Sequence, residues 1–153
     1  MSDTEATYTS TDPNVVTVTP NGRLFAMGLG SATVSAKYGT TTTTALVNVT
    51  NDAWYGRSFA AEQHEQIAAM RAIETARPML RSTNTGITSI IDHHGKELAR
   101  LPWFTRGLLE GAIAGRTGTT PYVRSGDALA VFASLLLAGA AFVLRRRRST
   151  GPD

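Results

Sequence analysis

Residues 7–50 read as short strands broken by turns, one of them, Ala32 to Tyr38, alternating with a period of two, and the chain then gives way to a helical period. Val15 to Thr19 is β-branched throughout. Pro20-Asn21-Gly22 follows as a turn, because Asn-Gly readily supplies the positive φ angles of a tight hairpin. Leu24 to Met27 is the return strand, and Gly28-Leu29-Gly30-Ser31 a second turn. In the next strand Ala32, Val34, Ala36 and Tyr38 share one face and Thr33, Ser35 and Lys37 the other, the pattern of a half-buried strand. Gly39 turns the chain into a last, Thr-rich strand, Thr40 to Thr50. Short strands at this spacing predict part of a β-sandwich.

Residues 48–56, Asn-Val-Thr-Asn-Asp-Ala-Trp-Tyr-Gly, take the chain from a buried strand end into a polar, aromatic loop. Beyond it, Ser58 is a candidate N-cap and Phe59 to Ala76 is rich in helix formers, with Pro78 as the stop. Ile67, Met70, Ile73, Ala76 and Leu80 form an apolar stripe that predicts core packing. Arg71, Glu74, Arg77 and Arg81 follow at spacings of three and four, which places them on one flank. Glu74 is positioned to pair with Arg71 or Arg77, and a solvated charged face is the simplest reading. Gly86 to Ile91 reads as a strand, Asp92-His93-His94-Gly95 as a turn and Lys96 to Leu101 as its partner. A further strand is expected near Leu108 to Ile113. The strand at 45–50 has two candidate partners, the 86–91 strand or the strands before it.

Composition narrows the chemistry. The chain has no cysteine, so disulfides, thiolate metal sites and a Cys nucleophile are excluded. The net charge is +3, but without Arg145 to Arg148 the balance is 11 basic residues against 12 acidic. The basicity belongs to the tail, which argues against a nucleic-acid-binding body. His93 and His94 are adjacent, so their side chains diverge, and a metal site there would need other ligands. His64 stands beside Glu62 and Glu65 without a nucleophile at a recognisable spacing. No cofactor and no metal are expected.

Ala128 to Leu144 is a run of 17 uncharged residues closed by Asp127 and by Arg145 to Arg148. Its all-round apolarity predicts a C-terminal transmembrane helix over 128–144 and a basic cytoplasmic tail over 145–153. Charge bias then puts residues 1–127 outside the cytoplasm of a bacterial inner membrane. Met1-Ser2-Asp3-Thr4-Glu5 has no apolar signal-peptide core. The expectation is therefore a fragment whose native start lies elsewhere, or a helix inserted against its bias.

Two family resemblances follow from named motifs. Tyr8 to Val18, Asn21-Gly22-Arg23-Leu24 and Gly28 to Val34 resemble a bacterial immunoglobulin-like domain (group 2), incomplete, over residues 6–50. Such modules are spacers or adhesion units. Val47 to Gly56, His64, Met70-Arg71-Ala72-Ile73-Glu74 with Arg77-Pro78, Arg81 to Thr88, and Thr117 to Asp127 resemble the C-terminal part of apolipoprotein N-acyltransferase, over residues 46–148. These separated motifs agree with that family in order and spacing.

The second resemblance implies an extracytoplasmic nitrilase-like (CN hydrolase) αββα domain that transfers an acyl chain from phospholipid to a lipoprotein's N-terminal cysteine. The family's reaction runs through a Cys thioester, with Glu as base and Lys as oxyanion support. All three lie upstream of the segment seen here, so catalytic residues are none in this chain. The substrate-loop candidates are Asn51, Asp52, Trp54 and Tyr55. Trp54 and Tyr55 are amphipathic aromatics suited to a lipid interface, as are Trp103 and Phe104. The scaffold motif is Arg71, Glu74, Arg77, Arg81, Asn84 and Gly86. The implied partners are membrane lipid and a lipoprotein or phospholipid acyl chain, with no nucleic acid.

The expected fold is mixed α+β, with partial β-sandwich strands (1–45), a partial nitrilase-like αββα segment (46–127) and one C-terminal transmembrane helix. Three functional readings follow: an acyltransferase-like fragment or fusion inactive alone, a membrane-anchored adhesion or spacer module, and a chimeric chain without evolved function. The strand at 45–50 suits both families, so the two halves meet at a shared pattern.

Overall fold

The computed structural model describes residues 6–53, 56 and 58–149. It contains two compact units, residues 1–119 and 120–153. Among the described residues the first holds eight strands, β1 (Thr7–Ser10), β2 (Val16–Val18), β3 (Leu24–Ala26), β4 (Gly30–Tyr38), β5 (Thr41–Thr50), β6 (Met79–Thr83), β7 (Thr88–Ile91) and β8 (Glu97–Leu101), and one long helix, α1 (Ala60–Thr75). Six strands form one mixed sheet in the order β1-β4-β5-β6-β7-β8, while β2 and β3 pair separately.

β5 organises this unit. One edge pairs antiparallel with β4, from Gly30 opposite Val49 to Tyr38 opposite Thr41. The other edge pairs parallel with β6, from Leu46 opposite Met79 to Thr50 opposite Thr83. A parallel pair needs a long crossover, and α1 supplies it. Of the two candidate partners for the 45–50 strand, the preceding strands supply one, β4, and the 86–91 strand is not the other: that edge goes to β6, a strand the hydrophobic pattern does not announce. Residues 7–50 therefore do not stand as sandwich strands by themselves. β1, β4 and β5 extend the sheet that carries β6, β7 and β8.

Side-chain alternation splits the sheet into two faces. Val47 and Val49 of β5 and Leu80 of β6 face Val15, Val16, Ala32 and Val34. Leu46, Met79 and Ile91 pack against Ala68, Ala69 and Ala72 of α1. The helix buries Ala61, Glu65, Ala68 and Ala72, a regular three-four spacing. The expected core stripe is corrected here, because Ile67 is 62% exposed, Met70 57% and Ile73 49%. Two stripes have helical spacing, and the small alanine stripe lets the helix approach the sheet more closely. Leu80 lies on the opposite face of the sheet from α1.

α1 ends at Ala76 in the left-handed conformation (φ 50°), where its N–H reaches the carbonyls of Ala72 and Ile73. Pro78 then begins the run into β6. The Asp92–Gly95 turn connects β7 and β8 as the sequence predicts. Asp92 accepts from the backbone N–H groups of His94 (2.9 Å) and Lys96 (2.8 Å), and the Lys96 bond leads in holding its carboxyl below the usual range. The strand expected at 108–113 is irregular backbone. It passes close over β7: a Cβ on Gly111 would meet Ile90 Cδ1 at 2.6 Å. Further on, Arg116 makes one antiparallel bridge with Thr44.

The second unit holds α2 (Pro121–Ser125) and α3 (Ala128–Ser149). Thr120 caps α2, accepting from Val123 N–H at 3.1 Å. The transmembrane expectation for 128–144 is overturned, because among the described residues no helix is long and apolar enough to cross a membrane. The apolar run is helical, but 17 residues rise only about 25 Å against a hydrocarbon core of roughly 30 Å. α3 then continues through the arginines to Ser149, so its last turns are charged.

Candidate functional site

β5 delivers Asn51 and Asp52 to the carboxyl end of its parallel pair with β6, the end at which ligands bind in open α/β sheets. Asn51 Oδ1 accepts from the N–H of Ala53 (3.0 Å) and from Asn84 Nδ2 (2.8 Å). This ties the loop to the connection between β6 and β7. Asp52 turns inward and is 3% exposed. Its Oδ2 accepts from Arg81 Nη2 at 2.6 Å. Its Oδ1 lies 3.2 Å from His64 Nδ1 and accepts from Thr50 Oγ1 at 3.4 Å.

Arg81 is the hub. It is 5% exposed and distributes its donors widely. Nη1 donates to the His64 carbonyl at 2.8 Å and Nε to the Ile87 carbonyl at 3.2 Å. One guanidinium thus joins the loop, α1 and the start of β7. Gly86 completes the arrangement. A Cβ there would lie well inside van der Waals contact with Asp52 Oδ2, 2.8 Å from its Cγ and 2.9 Å from its Cβ. Only a residue without a side chain leaves room for the buried carboxylate.

Glu65 and Ser89 adjoin this cluster. Glu65 Oε2 is 3.8 Å from Arg81 Nε, and both its oxygens and Ser89 Oγ are buried without a hydrogen-bond partner among the described residues. Burial pushes the Glu65 carboxyl above its ordinary range; the nearby Ser89 hydroxyl, which makes no geometric hydrogen bond to it, and Arg81 pull it partly back.

The other scaffold residues separate. Arg71 and Glu74 pair at 2.8 Å on the exposed side of α1. Arg77 lies past the helix end. It donates to Thr44 Oγ1, to the carbonyls of Thr75 (3.3 Å) and Ala76 (3.2 Å), and to those of Thr117 (3.4 Å) and Gly118 (2.6 Å). It clamps residues 117–118 beside β5 and the helix terminus. The common flank expected for Arg71, Glu74, Arg77 and Arg81 is thus limited to the first two. Trp54 and Tyr55 lie outside the described residues.

His64, Glu65 and Ser89 are the cluster members that sequence reasoning did not assign. The available signal was Glu65 itself, which falls in register with Ala61, Ala68 and Ala72. Away from the cluster, His93 Nε2 accepts from Arg116 Nη2 at 2.7 Å. Desolvation first, then the charge of Arg116, holds the His93 imidazole below its usual range. Among the described residues no group of three or more potential ligands is placed to hold a metal ion.

Chemically, the cluster fixes backbone and positions a loop; it presents no activated nucleophile. A family model described as Carbon-nitrogen hydrolase matches residues 10–122. That match begins inside the stretch that resembles an immunoglobulin-like domain. The apolipoprotein N-acyltransferase of Nitrosomonas europaea is 52% identical over 107 residues, which is 69% of this chain and 22% of that protein. The Ralstonia nicotianae protein of the same name is 51% identical over 104 residues, 68% of this chain and 20% of that protein. A putative apolipoprotein N-acyltransferase of Bordetella parapertussis is 46% identical over 120 residues, 77% of this chain and 22% of that protein. The chain spans about a fifth of the length of these relatives.

Proposed function

The chain belongs to the carbon-nitrogen hydrolase family, and on that premise we propose that it is the loop-bearing C-terminal portion of an N-acyltransferase-type domain, without acyl-transfer activity of its own. Identity near one half over some two-thirds of the chain carries this reading. The mixed sheet, with α1 as crossover between β5 and β6, is consistent with a piece of a carbon-nitrogen hydrolase domain.

In this reading Asn51 to Gly56 is a substrate-side loop. Arg81, Gly86 and Asn84 hold its first residues. Acyl transfer through a thioester needs a thiolate to attack the acyl carbonyl, and the chain has no cysteine. The partners are a phospholipid acyl chain and a lipoprotein, at a membrane. Support for a membrane setting comes from the named activity of the relatives.

The test has two arms. Incubated with phospholipid vesicles and a diacylglyceryl-cysteine peptide, the chain is expected to give neither acylated peptide nor an acyl adduct; either product overturns the proposed inactivity. In the second arm, residues 46–119 replace the matching segment of the Nitrosomonas europaea relative. The chimera is expected to keep acyltransferase activity, and a folded but inactive chimera overturns the substrate-side role.

A second reading makes residues 6–50 an immunoglobulin-like spacer or adhesion module. The β2–β3 ribbon packed over β4 and β5 gives it a two-layer β arrangement. It requires residues 6–50 to fold alone, and a disordered circular dichroism spectrum for that peptide would exclude it.

A further inference from the structure

Arg81 stands between two buried carboxyl groups. Asp52 Oδ2 is 2.6 Å from Nη2 and Glu65 Oε2 is 3.8 Å from Nε, with all three side chains no more than 10% exposed. One guanidinium compensates one carboxylate, and a second buried charge would remain uncompensated. Geometry shows which carboxylate it serves. Asp52 accepts from Arg81 and Thr50 and lies against His64. Glu65 has no hydrogen bond to either oxygen among the described residues.

The other groups around Glu65 do not make up the difference. Ser89 faces it from β7, and Glu97 and Arg100 act on it from β8. Arg100 is already engaged by Glu62 at 2.6 Å and Glu97 at 3.4 Å. On α1 itself, the adjoining His64 points to Asp52. Burial, ahead of every other influence, raises the Glu65 pKa above its ordinary 4.5.

We propose that Glu65 is a proton-operated latch on the 51–53 loop: protonated, it leaves Arg81 fully on Asp52, and ionised, it competes with Asp52 for Arg81 and loosens the loop. The step is a simple acid dissociation, with the proton released to solvent. Arg81 moves toward the new carboxylate, and the bonds at stake are those from Nη2 to Asp52 and from Nε to the Ile87 carbonyl. The latch rests on the proposed function only in taking this loop as substrate-side; its physical operation does not depend on acyl transfer.

Carbon-13 NMR of the full chain with labelled Glu side chains tests the latch, with backbone amides followed in parallel. Glu65→Gln assigns the Glu65 carboxyl signal and mimics the protonated acid in shape. The Glu65 carboxyl is expected to titrate above pH 4.5. The Asp52 and Gly86 amides should shift with the same midpoint, and in Glu65→Gln that shift should disappear. A Glu65 midpoint at or below 4.5 overturns the proposal. So does a parent in which the two amides do not follow the Glu65 titration, a comparison that survives even if the variant folds poorly. Neither result bears on the vesicle assay, so failure of the latch and failure of the functional reading are separable.

Discussion

Gly86→Ala is the sharpest probe of the loop anchor. The added methyl would sit 2.8 Å from Asp52 Cγ and 2.9 Å from its Cβ, and closer still to Oδ2. Asp52 is short and buried, so it has no flexible end to swing aside. Its carboxylate is held at 2.6 Å by Arg81 and lies 3.2 Å from His64. To admit the methyl, either Asp52 leaves Arg81 or the β6–β7 connection shifts away from the loop. Overpacking alone costs about 1–3 kcal/mol, and breaking a buried ion pair costs about 3–5 kcal/mol. The two penalties are alternatives, because relieving one incurs the other. The expected loss is therefore about 3 kcal/mol, read by urea denaturation followed by circular dichroism. An Asp52→Ala background removes the two closest clashing atoms, so the glycine substitution should cost much less there than in the parent. A Gly86→Ala variant within about 0.5 kcal/mol of the parent would refute the argument, as would equal costs in both backgrounds.

Other outcomes follow from the same geometry. Arg77→Ala removes charge-assisted bonds to the carbonyls of Thr117 and Gly118 and should cost about 1.5–3 kcal/mol, with faster amide exchange at residues 116–118 seen by mass spectrometry. Arg71→Ala breaks an exposed pair with Glu74 and should change stability by only about 0.2–0.5 kcal/mol, measured by the same denaturation. Glu65→Gln should have a pH-dependent effect. A folded pKa raised above 4.5 means that the native state binds its proton more tightly than the unfolded state. That contribution to stability is complete below pH 4.5 and is lost as pH rises through the folded value. Parent and variant should match in acid, and the variant should be the more stable of the two at neutral pH; a gain that is largest in acid would contradict the sign.

Local turn and helix signals in the sequence mark much of the fold. Asn21-Gly22, Gly39 and Asp92-His93-His94-Gly95 mark the turns of three hairpins, and Pro78 gives the end of α1. The sheet's central junction is harder to read, because β6 carries Arg81 between Leu80 and Ser82. A strand with one face on an ionic cluster lacks the apolar alternation that identifies strands. For the same reason the three-four spacing of Arg71, Glu74, Arg77 and Arg81 suggests one helix flank, although Pro78 stands between the third and the fourth. α1 misleads in the opposite way. Its large residues Ile67, Met70 and Ile73 are spaced for a core, and size favours them over Ala61, Ala68 and Ala72. Docking distance, which periodicity does not measure, selects the alanines. Asp52 and Gly86 are legible as neighbouring motifs, but the reason for the glycine is the carboxylate lying against it, a contact 34 residues apart in sequence.

The same contacts separate what this chain holds from what acyl transfer would require. The anchors of Asn51 and Asp52 described here come from residues 50–87: Thr50, His64, Arg81, Asn84 and the space left by Gly86. The position of the loop's first residues is therefore specified by a short stretch built on one βαβ unit. Such a unit holds its loop in place whether or not a nucleophile stands nearby, because that placement depends on buried hydrogen bonds and steric exclusion, while acyl transfer depends on a thiolate and a base. The ionic cluster predicts that this stretch tolerates little simplification. Removing Arg81 alone would leave Asp52 buried as an uncompensated charge, and removing Asp52 alone would leave Arg81 to Glu65. Glu65 would then ionise to take the guanidinium, which would draw Arg81 away from the loop side of the sheet. A buried acid beside an arginine, its pKa raised by burial, would as the proposed latch make the Asp52–Arg81 pair conditional on pH, and the loop's anchoring becomes a property of the whole cluster.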